Sequence, residues 1–268
     1  MWSGLAPARR RLLVAVLLTF VVAVIAAATA LAFHRSGNPE VTPVAQDQPG
    51  PVLLVPGYGG STGSLAPLAA RLRAAGRDVT VLQLPGNAEG DLTAQARVLA
   101  AAALSADNRT GARSVDVVGY SAGGVVARVW LKNLGGAARV RRVVTLGSPQ
   151  HGTALAALGS LVQGECPTAC QQLVPTSGLL SALNLAPEVP AGPAFVSLWS
   201  SHDDVVLPPD SAVLPGATNI ELQQVCADSV ARHSQLPGDR LVQGLVLAEL
   251  GRAPVRSFGP SDCAQLRA

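Results

Sequence analysis

Val115-Asp116-Val117-Val118-Gly119-Tyr120-Ser121-Ala122-Gly123-Gly124-Val125 carries the decisive pattern. An apolar run, Val115–Val118, enters Gly119-Tyr120-Ser121-Ala122-Gly123, and a helical stretch, Val125–Leu134, follows. A serine in G-x-S-x-G between strand and helix sits on a sharp turn that lifts its hydroxyl above the sheet edge. Glycines flank it because a side chain there would strike the neighbouring strand and helix. The helix N-terminus behind Ser121 favours negative charge at a reacting centre. Those five letters recur by chance in many chains, so the weight rests on the strand before them and the helix after. A plain tight turn is the bland alternative.

Working outward, short β-rich runs alternate with longer helical ones. Strands are expected at Val52–Val55, Val79–Leu82, Val140–Leu146, Phe195–Trp199 and Asn219–Val225. Helices are expected at Ser64–Ala75, where Leu65, Leu68 and Leu72 share one face, at Leu92–Leu104 and at Asp239–Leu250. Such alternation implies an α/β fold with a mostly parallel sheet and helices on both faces. One stretch breaks the rhythm. Residues 150–193 hold no expected strand, two cysteines and only two charged residues, Glu165 and Glu188. A long insertion between strands is usually functional, and this one reads as an apolar lid or cap; a packed helical pair with no gating role is the alternative.

The ends and the charge narrow the class. The 268 residues, 49% hydrophobic and 14% charged, suit one large globular domain after a short extension. Arg9, Arg10 and Arg11 account for the formal net charge of +3, so the rest is neutral and has no basic footprint for nucleic acid. From Leu12 to Phe33 no charged or amide side chain occurs. Residues 1–33 therefore read as a signal peptide or a membrane anchor, with membrane contact through that segment and the rest outside the cytoplasm. Residues 34–50, with three prolines, read as a linker to a domain over 51–268. Four cysteines in an exported chain favour two disulfides. The pairing expected is Cys166–Cys170 and Cys226–Cys263; a zinc site is weaker, because no histidine lies near the first pair.

A serine hydroxyl needs a base. Where the nucleophile sits on such a strand–helix turn, the partners follow in the order serine, acid, histidine. Of the four histidines, His34 lies in the linker, His151 precedes any acid in that order, and His202 adjoins the candidate acids. His233 remains, between the last expected strand and the last helix. Asp203 and Asp204 both follow the strand Phe195–Trp199 and could orient it. For the oxyanion hole, the N–H of Ala122 and the loop Pro56-Gly57-Tyr58-Gly59-Gly60-Ser61 are the candidates, with Tyr58 the donor. A phosphate loop fails, since no lysine follows and no G-x-G-x-x-G is present.

Together these stretches, with Thr145-Leu146-Gly147-Ser148-Pro149-Gln150-His151-Gly152-Thr153, Asp203-Asp204-Val205-Val206-Leu207-Pro208 and His233-Ser234-Gln235-Leu236-Pro237, resemble the secreted actinobacterial lipases and esterases of the α/β-hydrolase superfamily. The resemblance spans roughly Pro51 to Gly251. It implies the α/β-hydrolase fold and ester hydrolysis by a Ser–Asp–His triad on acylglycerols or related acyl esters. It favours Asp203 as the first residue of a D-x-[IV]-V run, supports Tyr58, and calls for no cofactor and no metal. Many such lipases carry His-Gly where this chain has Pro56-Gly57, which leaves the backbone donor intact. Acyl transfer to a cell-envelope acceptor would use the same triad, as would thioester or peptide hydrolysis. A catalytically silent binding module would have lost a triad member or an oxyanion glycine, and none is lost here.

Overall fold

The computed structural model describes residues 16–25, 42–161 and 166–268. The chain divides into two units, Met1–Val41 and Thr42–Ala268. Of the first, residues 16–25 are helical and exposed. The remainder of the apolar run Leu12–Phe33, on which the signal or anchor reading rests, lies outside the described residues. No helix among the described residues is long and apolar enough to cross a membrane.

The second unit is built on a six-stranded sheet: β1 (Val52–Val55), β2 (Val79–Val81), β3 (Val115–Tyr120), β4 (Val140–Leu146), β5 (Ala194–Trp199) and β6 (Thr218–Glu221). Its spatial order is β2-β1-β3-β4-β5-β6, and every pair is parallel. The inner strands are buried along nearly their whole length, as a parallel sheet covered on both faces demands. On one face α1 (Ala66–Ala74) and α8 (Arg240–Glu249) pack Leu68, Leu72, Leu241 and Leu245 with Leu54, Val118 and Val144. α2 (Leu92–Thr110) and α3 (Ala122–Asn133) pack on each other and on β1 and β3. Leu53, Val117 and Val143, the alternate strand residues, are buried as well.

The chain runs from β1 outward to β2 and then back across β1 to β3. That reversal leaves the loops after β1 and β3 side by side, because Val55 pairs with Gly119. Crevices at such switch points are where open α/β sheets bind ligands. Residues 150–193 hold no strand among those described. They form three short helices: α4 (Ala154–Gly159), α5 (Thr168–Gln172) and α6 (Gly178–Leu183). Their base is held by two cations of α3. The Nη atoms of Arg128, fully buried, donate to the carbonyls of Gln150 and Leu183 and to Asn184 Oδ1. Burial pushes its pKa down to about 10 against the opposing pull of Glu188. Lys132 Nζ donates to the carbonyls of Leu183, Leu185 and Pro187 at 2.7, 2.8 and 3.0 Å.

Some expected bounds shift. The strand expected over Asn219–Val225 ends at Glu221, and Leu222–Val225 is a helical turn, α7. Its apolar residues are still buried, so burial alone gave no means of telling strand from helix. The expected linker also reaches into the fold, since the carbonyl of Gln46 accepts from Arg141 Nη1 at 2.7 Å. Both disulfides, Cys166–Cys170 and Cys226–Cys263, are present.

At the opposite end of the sheet from Ser121, Asp116 is fully buried and takes a two-pronged ion pair from Arg141, at 2.8 and 2.6 Å, plus Arg77 at 2.5 Å. Removing one partner of a buried pair strands the other. Asp116→Ala is expected to lower unfolding free energy by about 3–5 kcal/mol, read as a fall in the urea midpoint with the slope unchanged.

Candidate active site

Each expected chemical residue stands at the C-terminal edge of a strand. Ser121 follows β3, the Asp203 loop follows β5 and His233 comes after β6, while Gly147, given no role from the sequence, follows β4. Aligned registers, Tyr120 with Leu146 and Leu146 with Leu198, bring those edges into one row.

The serine turn has the strain its sequence implies. Ser121 adopts φ 52° and ψ −127°, a conformation that few residues with a side chain tolerate. The turn closes because backbones touch where side chains would otherwise stand. A Cβ on Gly123 would lie 2.3 Å from the Val55 carbonyl oxygen, and one on Gly124 would lie 2.1 Å from Ser148 Oγ. Ser121 N–H donates to the Leu146 carbonyl at 2.9 Å.

Three side chains then line up. Ser121 Oγ lies 3.0 Å from His233 Nε2, and His233 Nδ1 lies 2.7 Å from Asp203 Oδ2. With its proton on Nδ1, the imidazole donates to Asp203 and accepts from Ser121. Asp203 and His233 are each 5% exposed, so this pair is shielded from water. The second carboxylate oxygen, Oδ1, accepts from the N–H groups of Val205 and Val206 at 2.9 and 2.8 Å. Both lone-pair faces of Asp203 are thus fixed. Asp204 does not reach the imidazole: it is exposed, pairs with Arg232 at 3.3 Å and accepts only the backbone N–H of His233, at 3.4 Å. A hydroxyl on an imidazole backed by a buried carboxylate can lose its proton as it attacks, because the imidazolium that forms is stabilised.

Tyr58 and Ala122 also come to this place. A Cβ on Gly57 would sit 2.8 Å from Ser121 Cβ, so the loop carrying Tyr58 lies directly against the serine. Ala122 is the first residue of α3, where backbone N–H groups have no acceptor within the helix. His151 is placed apart: its Nε2 meets Glu188 Oε2 at 3.0 Å and its Nδ1 faces the Ser211 carbonyl. A cavity of about 250 Å3 opens on Ser121, lined by Tyr58, Leu155, Ala156, Leu173 and Val206 among others.

Two contributors went unassigned in the sequence. Tyr120 lies in the serine motif as an unspecified residue, yet its ring tilts against His233 with centroids 5.2 Å apart. Its hydroxyl donates to the His233 carbonyl at 3.2 Å. Burial, helped by the charges of Asp203 and Asp204, pushes the phenol up to about 12, so that donor persists across ordinary pH. Gly147 has φ 51°, and a Cβ there would lie 2.6 Å from Leu236 Cδ1, 2.8 Å from Asp203 Oδ2 and 3.2 Å from His233 Nδ1. No signal short of the fold reveals that role.

These features agree with what the chain resembles. The family described as alpha/beta hydrolase fold matches residues 50–163. No curated protein sequence matches the chain. Among solved structures, Aspergillus fumigatus lipase B is 22% identical with a TM-score of 0.67, covering 85% of this chain and 57% of that one. The mature form of the Bacillus licheniformis lipase BlEst2 is 22% identical with a TM-score of 0.56, covering 68% and 86%. The lin2722 product of Listeria innocua is 16% identical with a TM-score of 0.59, covering 79% and 97%. This chain spans little more than half the length of the Aspergillus lipase. It has the α/β-hydrolase fold, with a six-stranded all-parallel sheet and flanking helices.

The role of Gly147 is testable without any substrate. Gly147→Ala is expected to slow fluorophosphonate labelling of Ser121 by roughly 10²-fold, the scale of a catalytic group displaced by about 1 Å. Circular dichroism should remain that of the wild type; labelling at the wild-type rate would show that the Asp203–His233 pair tolerates a methyl beside it.

Proposed function

We propose that this chain is a serine carboxylic-ester hydrolase, a lipase or esterase acting on acylglycerols or related acyl esters. The observation that carries the reading is the unbroken line from Ser121 Oγ through His233 to Asp203 at 3.0 and 2.7 Å, opening on a cavity with an apolar wall. Ser121 attacks the ester carbonyl while His233 takes its proton, and the N–H groups of Tyr58 and Ala122 hold the oxyanion. His233 then protonates the leaving alcohol. Water, activated by the same histidine, releases the acid and restores Ser121. The lipases among the distant structural relatives support an acyl substrate, and Leu155, Leu173 and Val206 on the cavity wall suit acyl chains better than peptides.

In the same proposal the domain works outside the cytoplasm, with residues 1–33 as its export segment and point of membrane contact. The two disulfides support an oxidising compartment. The insertion over residues 150–193 serves as the cap of the site.

Hydrolysis of p-nitrophenyl esters from two to sixteen acyl carbons, wild type against Ser121→Ala, tests the function. Serine-dependent turnover is expected, and a folded protein inactive on every ester would sink the hydrolase reading. The two acids separate more sharply. Asp203→Asn should lower kcat by about 10⁴ by leaving the wrong histidine tautomer, whereas Asp204→Asn should leave kcat within a few-fold of wild type.

A further inference from the structure

The cavity beside Ser121 has a volume of about 250 Å3. At ~30 Å3 per water-sized group, its 250 Å3 or so holds roughly eight such groups, the bulk of a medium-length acyl chain. Part of what bounds it is one sulfur of a disulfide, that of Cys170, bridged to Cys166 behind it. Ala156 and Gly159 line it from α4, and Cys170 and Leu173 from α5 and its end. The sulfurs of Cys166 and Cys170 lie 3.9 and 4.0 Å from the Ala156 carbonyl oxygen. A Cβ on Gly159 would stand 3.6 Å from Cys170 Sγ, the nearest contact it would make among the described residues. α4 is therefore laid along the disulfide, with no side chain between them at position 159.

The other end of α4 is also held. Thr153 Oγ1 donates to the Val205 carbonyl at 2.7 Å and accepts from the Leu207 N–H at 3.0 Å. Those contacts tie the start of α4 to the loop that carries Asp203. Between that anchor and the bridge, α4 has little freedom to retreat from a longer chain. A leucine wall can yield by changing rotamer; a bridge spanning four positions of sequence cannot without opening.

We propose that the Cys166–Cys170 bridge, with Gly159 set against it, is the specificity-determining wall of the acyl cavity and fixes the chain length that Ser121 accepts. This rests on the ester-hydrolase reading above. One methylene gained or lost in an apolar pocket changes selectivity about 10- to 200-fold, so small changes at this wall are legible.

The test uses alkyl fluorophosphonates with two-, eight- and twelve-carbon chains, following the labelling rate of Ser121 by mass spectrometry. Gly159→Val pushes a side chain into the cavity and is expected to lower the octyl-to-ethyl rate ratio by about tenfold or more. The double variant Cys166→Ser/Cys170→Ser removes the bridge and is expected to raise the dodecyl-to-octyl ratio several-fold. Should the double variant fail to fold, Gly159→Ala stands beside Gly159→Val, since its Cβ would meet Cys170 Sγ at an ordinary 3.6 Å, and a smaller shift of the same ratio is expected of it. Ratios unchanged from wild type overturn the proposal, as does a loss equal at every chain length. Wild-type Ser121 that no probe labels overturns the hydrolase reading itself, a result distinct from the other two.

Discussion

The strained turn at Ser121 is the constraint from which the rest of the site follows. Holding a residue with a side chain at φ 52° costs on the order of 1–3 kcal/mol, and such a turn persists only where its surroundings over-determine it. Here the surroundings are backbone together with the Ser148 side chain. β1 runs beneath Gly123, Ser148 abuts Gly124, and the carbonyl of Leu146 accepts the Ser121 N–H. Each contact needs the parallel pairing of β3 with β1 and β4, so sheet register and serine geometry are one feature seen at two scales. Loosening that register would relax the turn and withdraw the hydroxyl from His233 together.

Charge is distributed to match. One end of the sheet is locked by Asp116 between Arg77 and Arg141, whose other donors reach the carbonyls of Leu250, Gly251 and Gln46. Those bonds fasten the segment entering the fold and the segment leaving α8 to the same place. The other end keeps a single carboxylate, Asp203, out of water and already satisfied by two N–H groups and one imidazole. Rigidity at the first end lets the second be assembled from loops, since the strands delivering those loops cannot shift past each other.

Much of this was legible in the sequence, for physical reasons that differ by element. β4 was read at its true bounds because its β-branched stretch Val143-Val144-Thr145, with Leu146, is ended by Gly147, although Arg141 and Arg142 interrupt the apolar run. The helix Leu92–Leu104 was read six residues short, since Ser105, Asp107 and Asn108 look like an ending; the stop is Gly111 in the left-handed conformation. Asp203 and His233 were found by chain order and position, and the resemblance to lipases chose between adjacent aspartates. The structure separates them by direction: one carboxylate faces inward to His233 and the next outward to Arg232. Tyr120, Gly147 and Arg128 were not assigned roles, because each acts on groups distant in sequence, and neither periodicity nor motif records such a contact.

Lys132 is the chain's one lysine. With all three of its ammonium protons directed at carbonyls of the segment from Leu183 to Pro187, it doubles as a built-in reporter. Amine-directed reagents find no other side chain to modify, and this one is engaged for as long as the end of α6 stays seated on α3. The rate of its acylation therefore clocks how often that half of the insertion lifts away, in the unaltered protein and without an attached dye.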